Sequence, residues 1–216
     1  MKAELLAIGS ELLGPLRVET NTLWLTERLL ETGVEVAART TLADDVALLE
    51  SAFRGALARA DAVIATGGLG PTADDLTREA AAAATGRPLR RDPAIVESLR
   101  ARFARYGRTM SATNVKQADV IEGATPLPNA RGTAPGQVLE QEGRLLVLLP
   151  GPPGEMKPMF DEQVLPLLRA RAGPTRVLRR RVLRIAAMPE SEVDEIAAPV
   201  YSRFEKVKTT ILGAAG

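Results

Sequence analysis

The stretch Thr66-Gly67-Gly68-Leu69-Gly70-Pro71-Thr72-Ala73-Asp74-Asp75-Leu76-Thr77 holds the residue types with the most chemistry in them. Gly67, Gly68 and Gly70 carry no Cβ, so backbone N–H groups there can come close to an anion. Asp74 and Asp75 put two carboxylates beside that anion. Carboxylates next to a phosphate cradle require a cation between them, and oxygen ligands suit magnesium or manganese. The same residues also fit a tight βα turn with Asp74 as helix N-cap, although capping requires neither a second Asp nor three glycines. The loop is not a Walker A loop, because no Gly-Lys-Ser/Thr follows the glycines. It also lacks the third spaced glycine of the Rossmann fingerprint. No glutamate-rich helix of the Nudix type occurs.

Other residues that could join this site stand at turns. Glu11 follows Gly9 at the end of an apolar run, where it is either a ligand or part of a turn. Asn21 opens a helix close behind. Asp44 and Asp45 open another helix, Asp44 as ligand or as plain cap. Asn114 and Lys116 lie in the turn-rich middle, where a solvated lysine is the ordinary case. If they converge, the set offers phosphate-binding amides, several carboxylates and one amine. That kit suits hydrolysis of a phosphoanhydride. A divalent ion would lower the pKa of a bound water. A carboxylate would align that water or take its proton, and Lys116 would steady charge on the departing phosphate.

Composition removes the competing chemistries. The chain has no cysteine and no histidine. Thiolate nucleophiles, disulfides, zinc–thiolate sites and Ser-His-Asp triads are therefore excluded. Net charge is +1, which argues against a general polyanion binder. Arg176, Arg179, Arg180 and Arg181 form one basic cluster, read as a solvated strand face or a nucleic-acid contact. Aromatics are 3%, too few for stacking on single strands. Met1-Lys2-Ala3-Glu4 puts an acid inside the first apolar run, so no signal peptide is expected. No run reaches the length of a membrane span, and the expected location is cytoplasmic.

The elements that must position these residues alternate. Leu5 to Gly9 reads as a buried strand and Thr20 to Glu31 as an amphipathic helix stopped by Gly33. Val34 to Thr41 is a strand, Asp44 to about Ala60 a helix, Asp61 to Thr66 a strand, and Leu76 to about Gly86 a helix. This βαβαβα order predicts an α/β fold, a mostly parallel sheet with helices on both faces. In such a sheet the loops after Ile8 and Ala65 share one crevice at the carboxyl ends of the strands. Asp92-Pro93 starts a helix that ends at Gly107. Ser111 to Gln117 is a short helix, and residues 124–135 read as an irregular loop. Gly136 to Glu140 and Arg144 to Leu149 form a hairpin. Glu155 to Ala172 is a helix interrupted at Pro158 and Pro166. Gly173-Pro174 marks a boundary between a domain over 1–172 and a smaller one over 175–216. The smaller one holds a strand from Val177 to Ile185, a helix near Glu190 to Phe204 and a strand from Lys206.

Several of these segments together resemble the N-terminal domain of the CinA (competence/damage-inducible) proteins. The glycine-loop stretch from Gly67 to Thr77 carries the resemblance first. Gly9-Ser10-Glu11-Leu12-Leu13-Gly14, Asn21 and Asn114-Val115-Lys116-Gln117-Ala118 agree in order. So do Pro128-Asn129, Gly132-Thr133-Ala134-Pro135-Gly136 and Leu149-Pro150-Gly151-Pro152-Pro153-Gly154-Glu155-Met156. The resemblance covers roughly residues 1–170 and implies a three-layer α/β sandwich shared with the MogA/MoaB molybdopterin-binding proteins. The tail from Val177 is similar to the start of that family's KH-like module, expected to continue beyond Gly216. Leu69 stands where the pterin proteins have Thr, which favours the CinA branch.

The resemblance implies a divalent-metal-dependent ADP-ribose pyrophosphatase, using Mg2+, Mn2+ or Co2+ and releasing AMP and ribose 5-phosphate. Carried onto this sequence, Asp74, Asp44 and Lys116 are catalytic. Gly67, Gly68, Gly70, Thr77, Asn21, Asn114, Gly151 and Glu155 bind a nucleotide substrate. Glu11, Asp74 and Asp75 hold the metal. Ser10 sits where the family often has an acid or Thr, which removes one ligand. The amidase domain of longer relatives is absent from these residues, so no deamidation is expected. A homodimer is implied, with no membrane and no nucleic acid as partner. Two other readings stay open: a non-catalytic molybdopterin- or nucleotide-binding module, and a scaffold in DNA uptake that the family name evokes and no residue supports.

Overall fold

The computed structural model describes residues 1–173 and 181–213. They fall in two compact units, Met1–Leu178 and Arg179–Gly216.

The first unit is built on a six-stranded sheet. Its strands are β1 (Lys2–Ile8), β2 (Glu35–Leu42), β3 (Ala62–Thr66), β6 (Thr125–Leu127), β7 (Gly136–Gln141) and β8 (Arg144–Leu149), in the order β2-β1-β3-β8-β7-β6. The pairs β1–β2, β1–β3 and β3–β8 are parallel, and β7–β8 and β6–β7 antiparallel. Strands β4 (Leu89–Arg91) and β5 (Asp119–Ile121) form a separate antiparallel pair. The mostly parallel α/β sandwich read from the sequence is thus the fold observed.

The alternation along the central strands explains why helices cover both faces. Leu5, Ile64, Val147 and Leu149 enter one core with Leu25 and Leu29 of α1 (Asn21–Leu30), Met156 of α5 (Pro153–Met159) and Leu168 of α6 (Leu165–Ala172). Leu6, Ile8, Val63 and Leu148 enter the other. Their partners there are Leu49 and Phe53 of α2 (Val46–Arg59) and the alanines of α3 (Thr77–Thr85). A strand apolar at every position is what a sheet buried on both sides demands. A small third cluster packs Val96 and Leu99 of α4 (Pro93–Arg105) on Ala118.

One charged residue interrupts β1. Glu4 is buried on the α2 side, and the Arg59 guanidinium at the end of α2 donates to both its oxygens, at 3.0 and 2.9 Å. A buried acceptor left unpartnered costs more than one never placed there. Arg59→Ala is therefore expected to lower the urea unfolding midpoint, and adding Glu4→Gln should recover part of the loss. A double variant less stable than Arg59→Ala would refute this pairing as the cause.

Three differences from the sequence reading have physical reasons. The loop over 124–135 contains strand β6, because Thr125 to Leu127 finds a ladder on β7 that local composition does not reveal. Pro158 is absorbed inside α5, whereas the interruption is a wide turn over Phe160–Val164. There Leu165 N–H reaches back five residues to Phe160 O, and Pro166, the next residue, has no N–H to give.

The second unit is the third difference. It carries α7 (Glu190–Tyr201), as expected, but residues 181–185 and 206–213 form no strand. A strand needs a ladder partner, and neither segment finds one among the described residues. Pro174 of the expected boundary and residues 177–180 of the expected strand lie outside the described residues. No described helix is long and apolar enough to cross a membrane.

Candidate functional site

Each of the four parallel strands delivers one loop to the same end of the sheet. Ile8 leads to Gly9, Ser10 and Glu11; Leu42 leads to Asp44; Thr66 leads to the glycine loop; Leu149 leads to Pro150–Glu155. These loops, with the start of α1 and residues 133–134, line a crevice of about 670 Å³. That is ample for a nucleotide-sized ligand. Of the residues singled out in the sequence, Glu11, Asn21, Asp44, Gly67, Gly68, Gly70, Asp74, Asp75, Gly151 and Glu155 line it. Thr77, Asn114 and Lys116 do not.

The glycine loop is not the three-amide cradle the glycines implied. Gly67 N donates to Leu149 O at 3.0 Å, extending the β3–β8 ladder by one bond. Gly70 N donates to Asp75 Oδ1 at 2.8 Å. Only the Gly68 amide, of the three, is left without an acceptor in the described residues. Gly67 and Gly68 are glycines for packing reasons: both have positive φ, 102° and 64°. A Cβ would stand 2.0 Å from Ile8 O at Gly67 and 2.1 Å from Thr77 Oγ1 at Gly68. Thr77 is buried and its hydroxyl donates to Gly67 O at 2.8 Å, so it closes the turn.

The two aspartates have separate duties. Asp75 accepts from the amides of Gly70 and Thr72, both at 2.8 Å, and from the Thr72 hydroxyl. It ties the loop to itself, with both oxygens already bonded inside the loop. Asp74 is exposed on the crevice wall. Its carboxyl is held below the usual value by the adjacent Thr72 hydroxyl and then by its own backbone amide, against desolvation, with the charge of Lys116 the smallest influence. The hydroxyl has one proton, and the hydrogen-bond geometry gives it to Asp75, so the Thr72 contribution to Asp74 is smaller than a full bond would be. Asp74 remains ionised at neutral pH.

Lys116 braces the loop from outside. Its Nζ donates to Asp75 O at 2.5 Å and Thr72 O at 3.2 Å, and pairs with Glu79 at 3.1 Å. An ammonium so engaged is not at hand for a leaving group in the crevice. Asn114 also acts at one remove: its Nδ2 donates to Gln117 Oε1 at 3.3 Å, and buried Gln117 donates to Thr133 Oγ1 at 3.1 Å. Gln117 and Thr133 are the crevice-lining members of that chain.

On the opposite wall Asp45, not Asp44, caps α2, accepting from Leu48 N at 2.8 Å. Asp44 exchanges bonds with Ser10: Ser10 N donates to Asp44 Oδ2 at 2.7 Å and Asp44 N to Ser10 Oγ at 3.0 Å. Ser10 therefore anchors an acid instead of supplying one. Glu19 caps α1 through Thr22 N at 2.9 Å. Asn21 Nδ2 donates to Gly151 O at 2.7 Å, joining α1 to the last loop. Asn129 gathers the neighbouring turn, accepting from Gly132 N at 2.7 Å and donating to Ala134 O at 2.9 Å and Glu155 Oε2 at 2.7 Å.

Asn129, Gln117 and Thr133 were not singled out as site residues. Their signal was their place in the segments that carry the CinA resemblance, and their roles depend on loops distant in sequence.

Glu11, Glu19, Asp44, Asp74, Asp75 and Glu155 line the crevice against one cation, Arg17. No three acids among the described residues converge into a metal cage. Magnesium, however, is normally held by one or two carboxylates with substrate phosphates completing its shell. Asp74, Glu11 and the oxygen of Asp44 not bonded to Ser10 line the crevice and are open to that role, one or two at a time.

Comparison with known proteins agrees with this architecture. A family model described as "Probable molybdopterin binding domain" matches residues 4–170. A CinA-like protein of Solibacter usitatus (strain Ellin6076) is 51% identical over 216 residues, covering 100% of this chain and 52% of the relative. The chain thus spans about half the length of the curated relatives it matches. The crystal structure of CinA from Thermoplasma acidophilum, a protein of unknown function, superposes with a TM-score of 0.71 at 30% identity. The match covers 76% of this chain and 99% of that one. A molybdopterin biosynthesis protein from Mycobacterium abscessus shares the fold, with a TM-score of 0.53 at 19% identity over 79% of this chain and 93% of that one. With the family model spanning most of its length and a CinA structure covered almost end to end, the chain belongs to the probable molybdopterin-binding domain family, in its CinA-like branch.

Proposed function

We propose that this chain is a divalent-metal-dependent pyrophosphatase that splits ADP-ribose into AMP and ribose 5-phosphate. The observation that carries the reading is the set of carboxylates with no structural task. Asp74, Glu11 and half of Asp44 line one crevice together with the glycine loop. An anionic ligand entering such an acidic site must bring cations with it. When bound, a divalent ion would neutralise phosphate charge and make a coordinated water more acidic. Asp74, with its depressed pKa, is too weak a base to take a proton efficiently near neutrality. Its part is to align the ion and the water. The water oxygen bonds to one phosphorus as the bridging P–O bond breaks, and the water protons leave to solvent. The Gly68 N–H and Thr133 hydroxyl are the donors that would orient the diphosphate.

The second reading, a molybdopterin- or nucleotide-binding module without turnover, is favoured by the family description and by the commitment of Gly67, Gly70 and Lys116 to the loop itself. One experiment separates the two. ADP-ribose is incubated with this chain and Mg2+, Mn2+ or Co2+, and AMP is followed by chromatography. AMP formed only with metal supports the hydrolase. Ligand binding without AMP, from folded protein, supports the module.

A further inference from the structure

Arg78 has no part in the reading above, yet it is the largest side chain with no exposed surface. It stands in the first turn of α3, beneath the glycine loop. Its Nη1 donates to Leu69 O at 2.7 Å and its Nη2 to Gly70 O at 2.8 Å, while Nε is buried without a partner. No carboxylate pairs with it among the described residues. The nearest acids are engaged elsewhere: Glu79 by Lys116, Asp119 by Arg91 at 2.8 Å, and Asp75 by the loop amides. They act on Arg78 only at longer range. Desolvation, the largest influence, pushes its pKa down, although a guanidinium stays charged all the same.

A buried cation without an ion-pair partner is costly. Bonding two carbonyls does not require a full charge. The charge acquires a purpose on the other side of the loop. Leu69 and Gly70 line the crevice, their carbonyls are drawn away from it toward Arg78, and next to them the Gly68 amide has no acceptor.

We propose that Arg78 is the fixed counter-charge of a phosphate-binding floor, acting through the two loop residues it holds, Leu69 and Gly70, on a phosphate group seated over Gly68. It is a positioning residue, since the loop separates it from the ligand. The proposal rests on reading the crevice as a phosphate site but not on hydrolysis.

The test measures calorimetric affinity of the full chain for inorganic phosphate and for inorganic pyrophosphate at fixed Mg2+, together with the unfolding midpoint. Arg78→Met removes the charge and keeps the bulk; Arg78→Gln does so with a polar end; Arg78→Lys keeps the charge. The neutral variants should lose roughly tenfold for phosphate and more for pyrophosphate, as a unit charge acting across one loop would give; Arg78→Met should also be less stable than the parent, because the Leu69 and Gly70 carbonyls lose their donors. Arg78→Lys should stay within about threefold of the parent, because the field survives even where the fork is lost. Equal losses for both anions, or losses in Arg78→Lys matching Arg78→Met, would reduce Arg78 to a loop clamp and overturn the proposal. A parent chain that binds neither anion would overturn it too. If the neutral variants do not fold, Arg78→Lys decides alone, a tenfold loss counting against. Turnover of ADP-ribose plays no part, so an inactive chain that binds pyrophosphate still decides the matter.

Discussion

Asp74→Asn is expected to lower metal-dependent AMP release from ADP-ribose by about 10²–10⁴-fold, the range for removing one positioned catalytic group. Folding should be unaffected, because Asp74 is exposed and its side chain ties no element to another. Asn keeps the shape and deletes the charge, so the loss isolates the carboxylate. Asp75→Asn is the necessary contrast. Asp75 accepts from two amides of the loop, and its replacement should lower stability and activity together. The pH profile adds a second check. The Asp74 carboxyl is held below its usual value, chiefly by the neighbouring Thr72 hydroxyl. A depressed carboxyl keeps its charge at all pH above its folded pKa and loses it as pH falls through that value. The Asp74 contribution to binding of the Mg2+–ADP-ribose complex should therefore persist to lower pH than that of an ordinary carboxylate. Full turnover by Asp74→Asn would end the assignment of Asp74 as the key acid.

Gly67→Ala should be the most damaging single-methyl substitution in the chain, at roughly 3 kcal/mol or more. Two penalties combine. The residue sits at φ 102°, a conformation L residues rarely adopt, and its Cβ would lie 2.0 Å from the Ile8 carbonyl oxygen. That oxygen belongs to β1, a strand held by ladders on both sides. Gly86→Ala separates the two effects. Gly86 has φ 66° at the end of α3 and nothing within 4 Å of an added Cβ, so it should lose only the left-handed penalty of about 1–2 kcal/mol. Trp24, the single tryptophan, packs edge-on against Phe160 at 5.7 Å and reports the unfolding of both variants in urea. Equal costs at the two positions would show that the close approach at Gly67 is relieved by backbone movement.

Much of this molecule is determined by local sequence. The strand–glycine–helix order, the cap at Asp92 and the turn after α3 follow from residue types and their spacing. The near-continuous apolar runs of β1, β3 and β8 already specify a sheet covered on both faces. The right ends of the strands could be named, and Glu11, Asn21, Asp44 and Asp74 do meet there.

What the sequence could not supply is the destination of each hydrogen bond. Whether a glycine amide faces a ligand or a neighbouring carbonyl depends on a strand distant along the chain, and Gly67 is bound to Leu149. Lys116 and Asp75 have the residue types of catalysis, yet the tertiary structure commits them to shaping the loop. Arg78 reads as one more polar residue on an alanine-rich helix until packing buries it whole. Local propensity and pattern choose the elements, because they act over a few residues. Burial and partner choice assign the polar groups their tasks, because these depend on contacts that exist only once the chain has closed.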